Sequence, residues 1–340
     1  MNRRNLFRLI PLSVPALFEG VRSASGQPAP GSPRAANPDE PLGMMYVRRV
    51  REMLQWVRSH QSENILEAAY AIARTVGKGG KVWCYWDLGH TNRSDIFAGR
   101  PGEPEIVTAG YDPKEVKDGD LVLCNFPIPV ENYADIAKKD LFVVGGACPW
   151  SGDVSGQGEI QPAMQLLKIR PYSDIWIETN IDNIGAQIRV PGSPVPLGPE
   201  SGPLSGTIFW MMLADACRAL ARDGKPVKVK GDEPSLDAKT QRVSLDSPLM
   251  GEYFSEIMRE LDMIGMELGD IRKMARMAVD SLLSGGSVYF HSRYPESLRG
   301  EATGRRGGFA FAKGLSDLHH AQNLIKLIGP DAPVRTERAH

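Results

Sequence analysis

Apolar residues recur at Val47, Val50, Met53, Leu54 and Val57, the three-and-four spacing that lines one face of a helix, and predict a helix from Tyr46 to His60. A second helical pattern runs from Glu63 to Val76, with Ile65, Ala68, Ala69, Ile72 and Ala73 inward, and Gly77-Lys-Gly-Gly80 stops it. The period then changes. Lys81-Val-Trp-Cys-Tyr-Trp86 is a short apolar and aromatic run between turn signals, the pattern of a buried strand. The alternation continues with strands at Glu105–Ala109, Asp120–Cys124, Leu141–Gly145 and Ser173–Glu178, and helices at Pro129–Lys138 and Ser201–Arg222. Strands separated by helices or long crossovers predict a parallel α/β sheet.

Residues 223–248 are polar, carry no periodic element and read as a connection. Beyond them, helical patterns at Tyr253–Gly265 and Asp270–Leu283 lead into a strand, Gly285-Gly-Ser-Val-Tyr-Phe-His291. This repeats the order of Tyr46–Trp86, with Gly79-Gly80-Lys-Val-Trp against Gly285-Gly286-Ser-Val-Tyr, so an internal duplication competes with chance recurrence of helix, glycine pair and strand. The second copy is too short for a full sheet and either extends the first domain or serves in dimer contacts.

The chain of 340 residues is long enough for about two domains. Apolar residues at 42% and charged residues at 24% fit a folded soluble protein and exclude a disordered polyampholyte or a multi-span membrane protein. A formal charge of −1 supplies no field for polyanions, which argues against nucleic-acid binding. Thirty-five glycines and 26 prolines imply many loops, where function tends to sit.

The N-terminal residues read Met1-Asn-Arg-Arg-Asn-Leu-Phe-Arg8, then a modestly apolar run from Leu9 to Phe18, then Ser23-Ala-Ser-Gly26. A charged start, a short apolar stretch and small residues before a boundary are the parts of an export signal, here of twin-arginine type over residues 1–25; the alternative is a basic tail. Residues 26–42 read as a linker. The signal leads to the expectation of an exported protein, cytoplasmic if the signal does not function. Since no later stretch reaches the ~20 apolar residues needed to span a bilayer, the processed protein is expected to be free or peripherally attached. Cys84, Cys124, Cys148 and Cys217 lie far apart with no CxxC pair, which favours core cysteines over a zinc site and leaves a disulfide open. The adjacent His319 and His320 point about 100° apart on a helix and have no third ligand in view, so no metal is assigned.

Ligands of parallel α/β sheets bind at the carboxyl ends of strands, where the connecting loops gather. Three loops are rich in small and polar residues: Asp87-Leu-Gly-His-Thr-Asn-Arg-Ser94, Asn125-Phe-Pro-Ile-Pro129 and Gly198-Pro-Glu-Ser-Gly-Pro-Leu-Ser-Gly-Thr207. The last opens a long helix whose N–H groups and positive dipole end favour an anion, with hydroxyls from Ser201, Ser205 and Thr207. Helix capping explains either serine alone; convergence with the other loops is what makes them candidates. Asp87, Glu178 and Asp182 are strand-end acids that can contact sugar hydroxyls or stand as solvated loop carboxylates.

The order Glu63-Asn-Ile-Leu-Glu-Ala-Ala, Gly79-Gly80, strand, Gly89-His-Thr, Lys117-Asp-Gly-Asp-Leu-Val-Leu and Gly198-Pro-Glu-Ser-Gly-Pro-Leu-Ser-Gly resembles the SIS (sugar isomerase) domain family, most of all its stand-alone phosphosugar-binding members. The resemblance covers about Met45 to Asp237, within a domain placed at 43–237, with a C-terminal α/β extension at 238–340. It implies a flavodoxin-like or Rossmann-like doubly wound five-stranded parallel sheet, a homodimer, and binding of a phosphorylated sugar without a cofactor. Carried over, the ligand contacts are Gly89, His90 and Thr91 in the first loop, with Asn92 and Ser94 beside them, and Glu200, Ser201 and Ser205 at the helix. One departure stands out: where the family has a hydroxyl-rich phosphate loop, this chain has Asn125-Phe-Pro-Ile-Pro129, with two prolines that lack N–H donors.

Aldose–ketose isomerisation requires a base that moves a proton between adjacent carbons and a group that helps to open the ring. Glu200 and His90 are the acid/base pair that these motifs place together. A helix N-terminus also attracts Glu for purely electrostatic reasons, so a non-catalytic sugar-binding or sensor protein, or a structural protein that oligomerises on the same fold, remains the competing expectation. The basic loop Arg293–Gly308, with Arg305-Arg306, is either an anion contact or a solvated charged loop.

Overall fold

Val82, Cys84 and Trp86 join one core cluster while Trp83 joins another, and the same alternation separates Leu121 and Leu123 from Val122 and Cys124. Successive strand side chains point to opposite faces, so both faces of this sheet are covered, which explains why its strands read as continuous apolar runs. The computed structural model describes residues 34–35, 40–86, 103–125, 136, 138–147, 170–179, 188–189, 198, 200–225, 227–228, 246–290 and 312–314.

In chain order the elements are β1 (Arg34–Ala35), α1 (Leu42–Gly77), β2 (Val82–Tyr85), β3 (Thr108–Ala109), β4 (Leu121–Cys124), β5 (Phe142–Ala147), β6 (Ile175–Glu178), β7 (Ile188–Arg189), α2 (Ser201–Arg222), α3 (Met250–Met266), α4 (Leu268–Leu283), β8 (Val288–Phe290) and β9 (Ala312–Gly314). Five strands form one sheet in the order β3-β2-β4-β5-β6, and every pairing in it is parallel. The parallel α/β sheet expected from the alternation of elements is therefore present. Two small parallel pairs stand apart, β1 with β7 and β8 with β9. Arg34–Ala35 falls inside the stretch expected to be a linker. The helix expected at Pro129–Lys138 lies almost wholly outside the described residues; within it, Ile136 is buried.

The two N-terminal helices expected from Tyr46 and Glu63 are one helix of 36 residues. Nothing between His60 and Glu63 breaks a helix, since the stretch has neither glycine nor proline. Its polar residues suggested a boundary because they interrupt the apolar period, but they have partners on the sheet. The side-chain oxygen of Gln61 accepts the Glu178 N–H at 3.1 Å, and Asn64 Nδ2 donates to the Trp176 carbonyl at 3.3 Å. β6 is an edge strand, so these two amides satisfy main-chain groups that a sixth strand would otherwise take.

α1 and α2 cover one sheet face together. α2 is buried around most of its circumference, through Leu204, Ile208, Phe209, Met211, Met212, Leu213, Ala216 and Leu220. Its first turns lie against the carboxyl edge of the sheet, where Ser205 meets Trp86, while beyond its end Lys225 Nζ donates to the carbonyl of Gly77, just before β2 begins. The helix thus runs antiparallel to the strands and aims its N-terminus at their carboxyl ends.

α3 adds Tyr253, Phe254, Ile257, Met258 and Leu261 to the same core. Its start is held by Asp215 of α2, whose carboxylate accepts the Leu249 and Met250 N–H groups at 3.0 and 2.8 Å. The first helix of the C-terminal extension is therefore fastened to the main core. The chain's two helix–glycine–strand stretches differ in build: one has a continuous helix and a central strand, the other two helices and a strand in a separate pair.

Candidate functional site

The parallel strands all end on one edge, and the residues just past β2 and β4 are Trp86 and Asn125. Both meet Ser205 of α2. Asn125 Nδ2 donates to Ser205 Oγ at 3.2 Å, and the Trp86 indole N–H donates to the Ser205 carbonyl at 3.2 Å. All three residues are buried. A serine in the second turn of a helix can receive both contacts because its carbonyl faces along the axis while its hydroxyl is free to turn toward the sheet.

Room for the indole comes from β5. A Cβ on Gly146 would stand 2.5 Å from Cη2 of Trp86, and one on Gly145 would stand 2.6 Å from Cε3 of Trp176. Consecutive glycines in a central strand mark close approach of other groups, here one tryptophan on each face. Trp86 therefore reaches from β2 across β4 to β5 and forms the floor beneath the N-terminus of α2.

Glu200 is fully buried at the N-cap position of α2. The segment before it approaches α1: Gly198 has φ +78°, and a Cβ there would stand 2.7 Å from Cδ2 of Tyr46. Glycine at 198 is needed twice over, for the left-handed backbone and for the tyrosine ring beside it. Close by in sequence on α1, Arg49 is also fully buried and pairs with Glu52. Pro203 in the first turn has no N–H, so the donors that α2 presents there are the main-chain groups of Ser201 and Gly202.

Of the residues singled out in the sequence, Asn125 and Ser205 are brought into direct contact, and Glu200 occupies the N-cap position of the helix that carries Ser205, without a capping hydrogen bond from its side chain. Thr207 is buried, and its hydroxyl donates to the Pro203 carbonyl at 2.7 Å, an ordinary bond back along the helix. Ser201 is the first residue of α2. Glu178 closes β6, where its N–H is held by Gln61. Asp87, Gly89, His90, Thr91, Asn92, Ser94, Asp182 and the loop Arg293–Gly308 lie outside the described residues, as do Cys148, His319 and His320.

Trp86 was not singled out as a site residue. Its position as the last residue of an apolar run, with an indole N–H that needs a partner when buried, was one signal; the Gly145-Gly146 pair on a strand was another. Cys84 and Cys124 are buried and Cys217 is partly buried, none of the three in a disulfide, in keeping with core cysteines. No helix among the described residues is long and apolar enough to cross a membrane.

Neither a protein-family model nor a curated protein matches this chain.

Proposed function

We propose that this chain binds a carbohydrate derivative, a phosphorylated sugar foremost, at the carboxyl edge of its sheet, in the manner of the SIS domains that its motifs resemble. The observation that carries the reading is the meeting of Asn125 and Ser205, from two of the three candidate loops, 80 residues apart in sequence. The strand order β3-β2-β4-β5-β6 supports it as a doubly wound arrangement whose crossovers leave ligand space outside the carboxyl ends. In this reading the Asn125–Ser205 pair and the Trp86 indole form the base of the site. Sugar hydroxyls and an anionic group meet the loop Asp87–Ser94 and the first N–H groups of α2 above that base.

Glu200 at the mouth of α2 is the base proposed for proton transfer between adjacent sugar carbons, with His90 as the ring-opening partner. A second reading, binding without turnover, is favoured by Asn125-Phe-Pro-Ile-Pro129, which lacks the hydroxyl donors of a phosphate loop.

The test is thermal shift against aldose and ketose phosphates and their unphosphorylated parents, followed by NMR of each hit for interconversion. The expected result is stabilisation by at least one sugar derivative, lost on Asn125→Ala. Interconversion abolished by Glu200→Gln supports isomerisation; binding without interconversion supports the second reading. No stabilisation by any sugar overturns both.

A further inference from the structure

Of the sixteen residues of α4, Leu268 alone is buried. Ile271, Met274 and Val279 are 45%, 63% and 51% exposed, whereas the apolar faces of α1 and α2 are spent on the sheet and on each other. Among the described residues, the exposed large apolar side chains lie on the first turn of α1, at the α3–α4 corner, along α4 and on β8, and none lies on α2 or the five-stranded sheet. At 100° per residue, Ile271, Met274, Ala275, Ala278, Val279 and Leu282 fall on one stripe of α4 about 140° wide. Lys273, Arg276 and Asp280 fall on the other side.

The stripe has a further property. Read outward from the midpoint between Arg276 and Met277, it meets alanine, then a large residue, then another large residue in both directions: Ala275, Met274 and Ile271 one way, Ala278, Val279 and Leu282 the other. About a two-fold axis each residue i meets j while j meets i, so a size pattern that reverses onto itself sets small residues against small at the centre and large against large on either side. In an antiparallel pair, Ala275 meets Ala278, Met274 meets Val279, and Ile271 meets Leu282 of the second copy. Alanine against alanine at the centre lets the helix axes approach to about 8 Å.

We propose that α4 is the surface through which two copies of this chain associate, antiparallel about an axis between Arg276 and Met277. A stable dimer buries about 800 Å² on each partner, more than the stripe of a helix about 24 Å long supplies. The remainder is at hand at the two ends of the helix. The antiparallel arrangement sets the exposed Met266 at the α3–α4 corner against Leu283 and Tyr289 of the second copy, and these are also exposed, at 77%, 82% and 39%.

Light scattering on the full chain is expected to give the mass of two chains. Met274→Lys with Val279→Lys is expected to give the mass of one at unchanged far-UV circular dichroism, and Lys273→Glu on the opposite side is expected to leave the dimer intact. Ala275→Cys with Ala278→Cys is expected to yield a disulfide-linked dimer on mild oxidation that the parent chain does not form; this arm decides the matter if the lysine variant fails to fold. A one-chain mass at the highest soluble concentration overturns the proposal, whether or not that monomer binds lipid vesicles. So does a two-chain mass that survives the lysine substitutions without cysteine cross-linking.

Discussion

The indole N–H of Trp86 donates to the main-chain carbonyl of Ser205, 119 residues along the chain, and so joins the end of a central strand to the second turn of α2. The contact exists because Gly146 has no side chain. Gly146→Ala is expected to drive the indole out of place at a cost of about 1–3 kcal/mol, the usual penalty for overpacking a filled core. Chemical denaturation checks the magnitude, and a red shift of tryptophan emission checks the cause. Pairing Gly146→Ala with Trp86→Phe returns part of the loss if the clash is with the larger ring.

The Asn125–Ser205 bond is expected to couple the two loops energetically. Each alanine variant removes one partner of a buried polar pair, so each costs about 1–3 kcal/mol, and the double variant costs less than the sum by about 1 kcal/mol. Strict additivity in urea denaturation would show that the two side chains do not act on each other.

Asp120 is buried at the foot of β4, where it accepts hydrogen bonds from the Trp83 indole at 2.9 Å, the Lys81 N–H at 2.9 Å and the Lys117 N–H at 3.0 Å. Burial alone would raise its pKa, but these three donors, with the nearby Lys81 charge, outweigh it and hold the carboxyl below its ordinary value of 3.8. As pH falls the unfolded chain therefore takes up the proton first. Its contribution is present in full above the unfolded value and is lost as pH drops through the lower folded value. Urea midpoints measured from neutral pH down to about pH 3 are expected to fall less steeply in Asp120→Asn, which is also less stable at neutral pH.

The middle of the sheet was readable from the sequence because β2 and β4 are covered on both faces. Such strands are unbroken apolar runs, and Val82–Tyr85 and Leu121–Cys124 stand out from the polar turns around them. The join between the first two helical patterns was misread because Gln61 and Asn64 interrupt the apolar period; they face main-chain groups of β6, more than a hundred residues away. Asn125 and Ser205 were identifiable as hydrogen-bonding side chains, one just past β4 and the other in the opening turns of α2. Trp86 was not, since its partner is a carbonyl, which every residue has, and since the space that it fills is made by glycines on another strand. Periodicity reports which face a residue occupies, whereas a contact such as this depends on the register of separate elements.

Burial pushes the Cys217 thiol up to about 11. The thiolate is the reactive form, so Cys217 is expected to resist aromatic disulfide reagents at pH 8, as are the buried Cys84 and Cys124. Rapid modification of any of the three in the native chain, followed by mass spectrometry of peptides, would contradict the packing described.

Asp215 joins three helices and is expected to be the most sensitive of these positions. Its carboxylate holds Arg218 Nε at 2.7 Å and caps α3 through the Leu249 and Met250 N–H groups, while Arg218 reaches the Tyr70 hydroxyl of α1 at 2.9 Å. Asp215 and Arg218 are both buried, so removing one leaves the other's charge without its principal counterpart inside the core. Asp215→Ala is expected to cost about 3–5 kcal/mol, the range for breaking one side of a buried ion pair. Tyr70→Phe, which removes only a hydroxyl, is expected to cost about 1 kcal/mol. Hydrogen exchange separates the two roles of the carboxylate. If capping matters beyond the ion pair, Asp215→Ala accelerates exchange in Met250–Met266 more than Arg218→Met does. Equal protection of that helix in both variants would show that its attachment rests on the apolar contacts of Phe254, Ile257 and Leu261 instead.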